Sequence, residues 1–511
     1  MRIRQRALAT ALSGVLCLGP ALAEEPLSVI DWLGQNPSDA DRHLLLEPPV
    51  STNALYPVIA VRPLDTKSVP VGLVPPGRTG LPAGLFQRSD VETLVSLIDQ
   101  ARVYRNPAMQ SLLYTLLLSE TLPPEDTDQA GQLVQARIDK LYDMGAVDAA
   151  RAMADIAGGR TDQDLFRRWF DASLLTGDED LSCAVLNQQP RLTDRYSDRI
   201  FCAARAGDWP LAELLRGSAT SLDAIKAECV ELLDRFLHPD FYEDADLPPP
   251  PARPTPLTFR AYEAIGERLP TAPLPAPFSH ADLRDVAGWK AQLEAAERLA
   301  RNGALSGNRF LGLYTERAPA ASGGIWDRVR ALQQFEIALD TGSTEAISKT
   351  LPPVWFAMEE AGTEVLFADL FADRLGLYPL PDPKAQDLAI RIGLLAAGYP
   401  TAADRLTGRD PETQFLTALA SGTPNPNTAP DAQARAMADG FADPVTLPDD
   451  ALQGLADARV GEVLLRALIQ FDQGAAGNHE KLSNAIATLR AVGLEDTARL
   501  AALQLRLLGY R

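Results

Sequence analysis

The sequence predicts an all-α protein, built as a helical-hairpin solenoid in two units behind an extended, proline-rich N-terminal arm with short β segments. Three observations predict it. Between Leu141 and Leu237, Gly145, Gly177 and Gly207 mark turns at intervals of 32 and 30 residues, close to the length of one helical hairpin. Small or apolar residues resume after each glycine: Val147-Asp148-Ala149-Ala150, Leu181-Ser182-Cys183-Ala184 and Leu211-Ala212. Proline-dense stretches at 244–258 and 270–278 divide two helical regions, because proline excludes helix and restricts the residue before it. The divisions that follow are a signal peptide at 1–23, an arm at 24–88, a first helical unit at 89–243, a linker at 244–280 and a second helical unit at 281–511.

Residues 1–23 read as an export signal. Arg2, Arg4 and Arg6 form a positive start, Ala7 to Gly19 is apolar but too short to span a bilayer, and Ala21-Leu22-Ala23 is a small-x-small cleavage site. Leu16 before Cys17 does not suit lipid attachment, so a periplasmic location with cleavage after Ala23 is expected. Removing these residues takes the formal charge from −20 to −23, since they hold three arginines and no acid. Such a surface is repelled by nucleic acid and anionic lipid. It keeps an exported protein soluble and suits a basic partner. No later run is long and uncharged enough for a transmembrane helix.

In the arm, 56–61 and 69–74 read as short extended runs interrupted by proline. Gly77, Gly80 and Gly84 match no nucleotide fingerprint. The helical body opens with Ser89 and Glu92 as a capping box, and Asn106-Pro107 caps the next helix. Helices are expected near 128–144, 147–157, 162–176, 179–188, 194–206, 209–217 and 221–237, the last with Leu222, Ile225, Cys229, Leu232, Leu233 and Phe236 on one core face. A short helix near 258–267 interrupts the linker. The second unit holds helices near 281–301, 304–315, 323–340, 343–350, 353–361, 363–375, 384–397, 400–406, 411–420, 431–440, 449–472, 477–491 and 494–508.

The glycine and alanine spacing of Leu489-Arg490-Ala491-Val492-Gly493-Leu494-Glu495-Asp496-Thr497-Ala498 resembles a tetratricopeptide-type hairpin, and residues 89–508 resemble tetratricopeptide-like α-solenoids. The segments around Cys183–Asp240 and Trp289–Trp326 resemble a group of exported helical proteins of Gram-negative bacteria. The first resemblance implies a hairpin solenoid with a concave binding surface; the second implies export and no particular activity.

Catalytic motifs are missing. No G-x-S-x-G, P-loop or S-x-x-K is present. His479-Glu480 lacks a second zinc ligand because position 483 is serine, and His43, His238, His280 and His479 are far apart, so no metal site and no cofactor are expected. The stretch beginning at Asp126 fails as a calcium loop because its twelfth position is Arg137. Helical lytic transglycosylases are the natural enzymatic comparison, but after Ser119-Glu120 their second catalytic segment is absent.

One stretch has ligand-binding chemistry: Tyr314, Arg317, Ser322, Gly323, Gly324, Trp326 and Arg328. Ser-Gly-Gly opening a helix presents backbone N–H groups to an anion, with arginine charge and an aromatic face beside it. The plainer reading is an inter-helix loop whose serine caps the helix and whose tryptophan packs between hairpins. Of the three cysteines after Cys17, Cys183 and Cys202 become level if their helices pack antiparallel across the 188–194 turn, leaving Cys229 as a buried thiol. Cys202–Cys229 and three reduced cysteines stay open. The expected function is a scaffold that binds a protein partner, accessory to a cell-envelope machine. The alternative is a glycan or peptidoglycan hydrolase with a carboxylate pair that no motif reveals.

Overall fold

A computed structural model describes residues 70–509 except 104, 126–128, 244 and 247–248. The expected signal peptide and cleavage site, the expected extended run at 56–61 and the rest of the stretch to residue 69 lie outside the described residues. The fold is all-α. Among the described residues the only β pairing consists of the isolated bridges Val71–Thr121 and Val74–Ser119, so the second extended run of the arm pairs with the chain just after a helix and forms no strand.

Helices of eight residues or more are numbered here. The first half holds α1 (Val91–Gln100), α2 (Pro107–Leu118), α3 (Ala130–Asp143), α4 (Val147–Ile156), α5 (Gln163–Thr176), α6 (Glu179–Gln188), α7 (Tyr196–Arg205), α8 (Trp209–Ser221), α9 (Ala227–Leu237) and α10 (Pro256–Ala264). The second holds α11 (Trp289–Arg301), α12 (Gly307–Thr315), α13 (Ile325–Thr341), α14 (Thr344–Ala361), α15 (Glu364–Leu375), α16 (Pro383–Gly393), α17 (Pro411–Ala420), α18 (Ala432–Gly440), α19 (Asp449–Ala456), α20 (Val460–Ala475), α21 (His479–Ala491) and α22 (Glu495–Leu508).

Several starts follow from short polar caps. Asn106 accepts from Met109 N–H, Asp382 from Ala385 and Asp410 from Thr413, each ahead of a proline in the first turn. The expected Ser89–Glu92 box does not form. Asp90 is the cap, accepting from Thr93 N–H at 2.8 Å. The regions 343–350 and 353–361 are one helix, α14, running through Pro352 and Pro353. The missing proline N–H bonds are offset by the buried face of Ile347, Leu351, Val354 and Met358 packed on α13. Conversely, 449–472 breaks at Ala458, whose φ of 58° ends α19. The expected core stripe over 221–237 is shorter than proposed. α8 continues to Ser221, Asp223 turns the chain at φ 51°, and Leu222 is 66 % exposed. Cys229 is half-buried.

The linker is not merely an extended spacer. Leu257, Phe259, Tyr262, Leu274 and Phe278 are buried, and α10 packs on both α9 and α5. Glu179 at the start of α6, 1 % exposed, pairs with Arg260 of α10. Glu263 then pairs with both Arg260 and Arg284. One hydrophobic cluster joins residues from Val74 to Leu505, while α8 and α9 pack into smaller clusters of their own around Ala212, Leu232 and Leu233.

The succession of hairpins closes on itself. α22 packs against α2, and α20 against α1 and α2. Asn106 Nδ2 donates to the Ala501 carbonyl at 2.9 Å, and Gln504 Oε1 accepts from Ala108 N–H at 2.8 Å while its Nε2 donates to the Leu395 carbonyl at 3.0 Å. Gly461, inside α20, donates its N–H to the Leu85 carbonyl at 2.9 Å. A Cβ there would stand 2.5 Å from the Phe86 ring, so this seam requires glycine despite its poor helix propensity. Arg137 of α3, 1 % exposed, donates to the carbonyls of Leu117, Ser119 and Val71. It satisfies the C-terminal end of α2 and ties the arm to it. Burial pushes its pKa down to about 9, which still leaves it charged at neutral pH.

Candidate functional site

The loop singled out in the sequence does not gather into a pocket. Tyr314 is fully buried, stacked on Phe310 with centroids 4.3 Å apart, and its hydroxyl donates to Glu297 Oε1 at 2.6 Å. Arg328 holds the same carboxylate through Nε at 2.7 Å and Nη2 at 2.9 Å. Trp326 is half-buried against Trp289, centroids 5.2 Å apart. These three side chains join α11, α12 and α13. Arg317 lies apart on the surface, bonded to Glu316. Ser322, Gly323 and Gly324 form an exposed turn in which Ser322 caps nothing. The N–H groups of Trp326, Asp327 and Arg328 already donate to the Gly323 and Gly324 carbonyls, so the anion cradle is largely closed from within.

The sequence reading missed the cavity where the ring closes. Its volume is about 720 Å³, within the range of small-ligand sites. The start of α2, the α11–α12 turn, the α14–α15 turn with the first half of α15, and the end of α22 surround it. The α11–α12 turn is held against α2 by Gln110 Nε2 donating to the Arg301 carbonyl at 3.2 Å and Tyr114 Oη to the Asn302 carbonyl at 2.9 Å. Gly303 sits between, at φ 67°, where a Cβ would stand 3.1 Å from the Tyr114 ring. Three helix C-termini and three N-termini reach the cavity, so their dipoles largely cancel and side chains set its charge. The lining includes four acids, Glu359, Glu360, Glu364 and Asp369, and two arginines, Arg105 and Arg301.

Asp369 is the unusual group. It is exposed and lines the cavity. Desolvation by the neighbouring protein and repulsion from Asp373 one turn further along α15 push its pKa up, a push that its exposure to solvent moderates. It has no hydrogen-bond or ion-pair partner among the described residues. The signal in the sequence was Asp369 inside the otherwise apolar run Val365–Ala372, with a like charge, Asp373, four residues further on.

Other buried polar groups are structural. Asp171 and Asp198 flank Arg195, at 3.5 and 2.7 Å, and burial raises the Asp198 pKa to about 6. His280 is buried with Nε2 2.7 Å from the Gly145 carbonyl, and burial lowers its pKa, so it bridges to the α3–α4 turn as a neutral ring. Cys183 and Cys202 form a disulfide with Cα atoms 4.9 Å apart, and Cys229 is free. Among the described residues no group of three or more His, Cys, Asp and Glu side chains is placed to hold a metal ion, and no helix is long and apolar enough to cross a membrane. Comparison with protein-family models, with curated proteins and with solved structures found no match.

Proposed function

We propose that this chain is an exported helical scaffold, tetratricopeptide-like in plan, that binds a protein partner in the periplasm as an accessory of a cell-envelope machine. One observation carries the reading. α8 buries fully only Ala212 and Ala219 and, while Leu215 packs inward, leaves large apolar side chains outside, with Leu211 39 %, Leu214 66 % and the adjoining Leu222 66 % exposed. Exposed apolar residues grouped this way mark interaction surfaces. The chain's formal charge of −20 adds the second criterion, so the occupant is a basic segment of an envelope protein with an apolar stripe of its own. The disulfide is compatible with export.

The test is a photo-crosslinking residue at Leu214, compared with the same residue at Ile337, which is 63 % exposed on α13. A basic protein caught from Leu214 only, whose purified form binds the wild type and loses at least tenfold in affinity for the L211S/L214S/L222S variant, supports the reading. Equal capture from both sites, or unchanged affinity, overturns it.

A second reading is favoured by Asp369. A carboxylic acid of raised pKa beside other carboxylates is what glycan hydrolysis requires. Release of soluble fragments from purified peptidoglycan by the wild type and not by D369N would establish it; no release by either removes it.

A further inference from the structure

We propose that the central cavity is a binding site for a small organic cation, an alkylammonium with an aliphatic body, held by the Asp369 carboxylate. The inference stands apart from the scaffold reading, which concerns α8, and it assigns Asp369 to binding where the hydrolytic reading assigns it to chemistry.

Four observations converge. The cavity has about 720 Å³, room for an amine of several carbons and for little more than a short peptide. Its lining carries four carboxylates against two guanidinium groups, and Arg301 also stands 4.0 Å from Glu297. Asp369 is exposed on the cavity wall, without a hydrogen-bond or ion-pair partner among the described residues. A carboxylate so placed, with the like charge of Asp373 one turn further along the helix, would gain from a cation in the cavity. Leu366, Leu370, Leu500 and Leu508 line the same space and suit an aliphatic body. An anion would meet the carboxylates unfavourably, and a neutral molecule would leave Asp369 unpaired.

The geometry also says why the site belongs to the closed ring. Its walls come from helices at both ends of the chain and from its middle, so a ligand there would bridge α2, α15 and α22. Binding should therefore stabilise the folded protein as a whole, in proportion to ligand concentration.

The experiment uses the full exported chain with cadaverine, and with pentanediol and glutarate as neutral and anionic molecules of the same carbon length. Calorimetric titration and thermal unfolding are read together. Cadaverine is expected to bind one to one and raise Tm, while pentanediol and glutarate do neither. D369N and D369A are expected to fold, since each removes a like charge facing Asp373, and to lose at least tenfold in cadaverine affinity. A third variant, E345Q, removes an exposed acid on α14 and should bind as the wild type does. Binding of several equivalents that D369N leaves unchanged would mean condensation of an amine on an acidic surface, and would overturn the proposal. Absence of binding by the wild type, or tighter binding of glutarate, would do the same.

Discussion

Gln504→Met is the perturbation that most sharply weighs the closure of the ring. Gln504 is 2 % exposed. It receives the Ala108 N–H, one of the first amides of α2 and so without a partner inside that helix, and it gives an N–H to the Leu395 carbonyl. Methionine has nearly the same length and volume, so packing is preserved while both bonds are lost. One buried donor and one buried acceptor are then unsatisfied, at about 1–3 kcal/mol each. Ala108 borders the cavity, where water can satisfy part of its loss, so the sum is expected at about 2–4 kcal/mol. The assay is urea unfolding followed by tryptophan fluorescence, comparing midpoints at unchanged slope. Gln414→Met is the control. Gln414 is exposed, so its replacement should stay within about 0.5 kcal/mol of the wild type. A Gln504→Met loss no larger than that of the control would refute the reasoning, because it would mean that α2 and α22 do not meet in solution.

Two further outcomes follow from buried groups. Replacing Cys183 and Cys202 by serine should lower stability by about 3 kcal/mol on the loop-closure model, for a sequence separation of 19 residues, and alkylation of the unreduced wild type should modify Cys229 only; a freely alkylated Cys183 peptide would contradict this. Asp198 has a folded pKa raised to about 6 by burial, so the folded state holds its proton more tightly than the unfolded chain. The stability it supports is therefore greatest below the ordinary aspartate pKa and falls by about 3 kcal/mol as pH rises through 6. Wild type and D198N should accordingly diverge between pH 4 and 7, with D198N relatively more stable at the upper end; parallel stability curves would count against the assignment.

The parts of this fold that were legible in the sequence are those with local causes. Asn106-Pro107, Asp382-Pro383 and Asp410-Pro411 announce helix starts because the capping side chain and the proline act within one turn. The Cys183–Cys202 bridge was legible for a similar reason, being confined to one hairpin. Ring closure was not. The bond from Asn106 to Ala501 spans 395 residues, and neither residue carries a local mark of the other. The same holds for the cavity, whose walls come from segments far apart in the chain. Tyr314, Trp326 and Arg328 show the opposite error. Their chemistry suits a ligand, but Glu297, one turn from the end of α11, takes up both the Tyr314 hydroxyl and the Arg328 guanidinium. That pairing depends on how α11 lies against α12 and α13, which periodicity does not reveal.

Native-state hydrogen exchange of α2 in the Gln504→Met protein tests the closed ring most directly. In an open solenoid each hairpin is supported only by the elements packed beside it on its own side of the chain, so weakening α22 should loosen α21 and α17, which pack on it, and leave residues 107–118 untouched. In the closed arrangement α22 packs directly on α2. Faster exchange at 109–118 in Gln504→Met, with α8 unchanged, is the expected result. Exchange in α2 identical to the wild type, alongside loosening of α21 and α17, would contradict closure and with it the cavity.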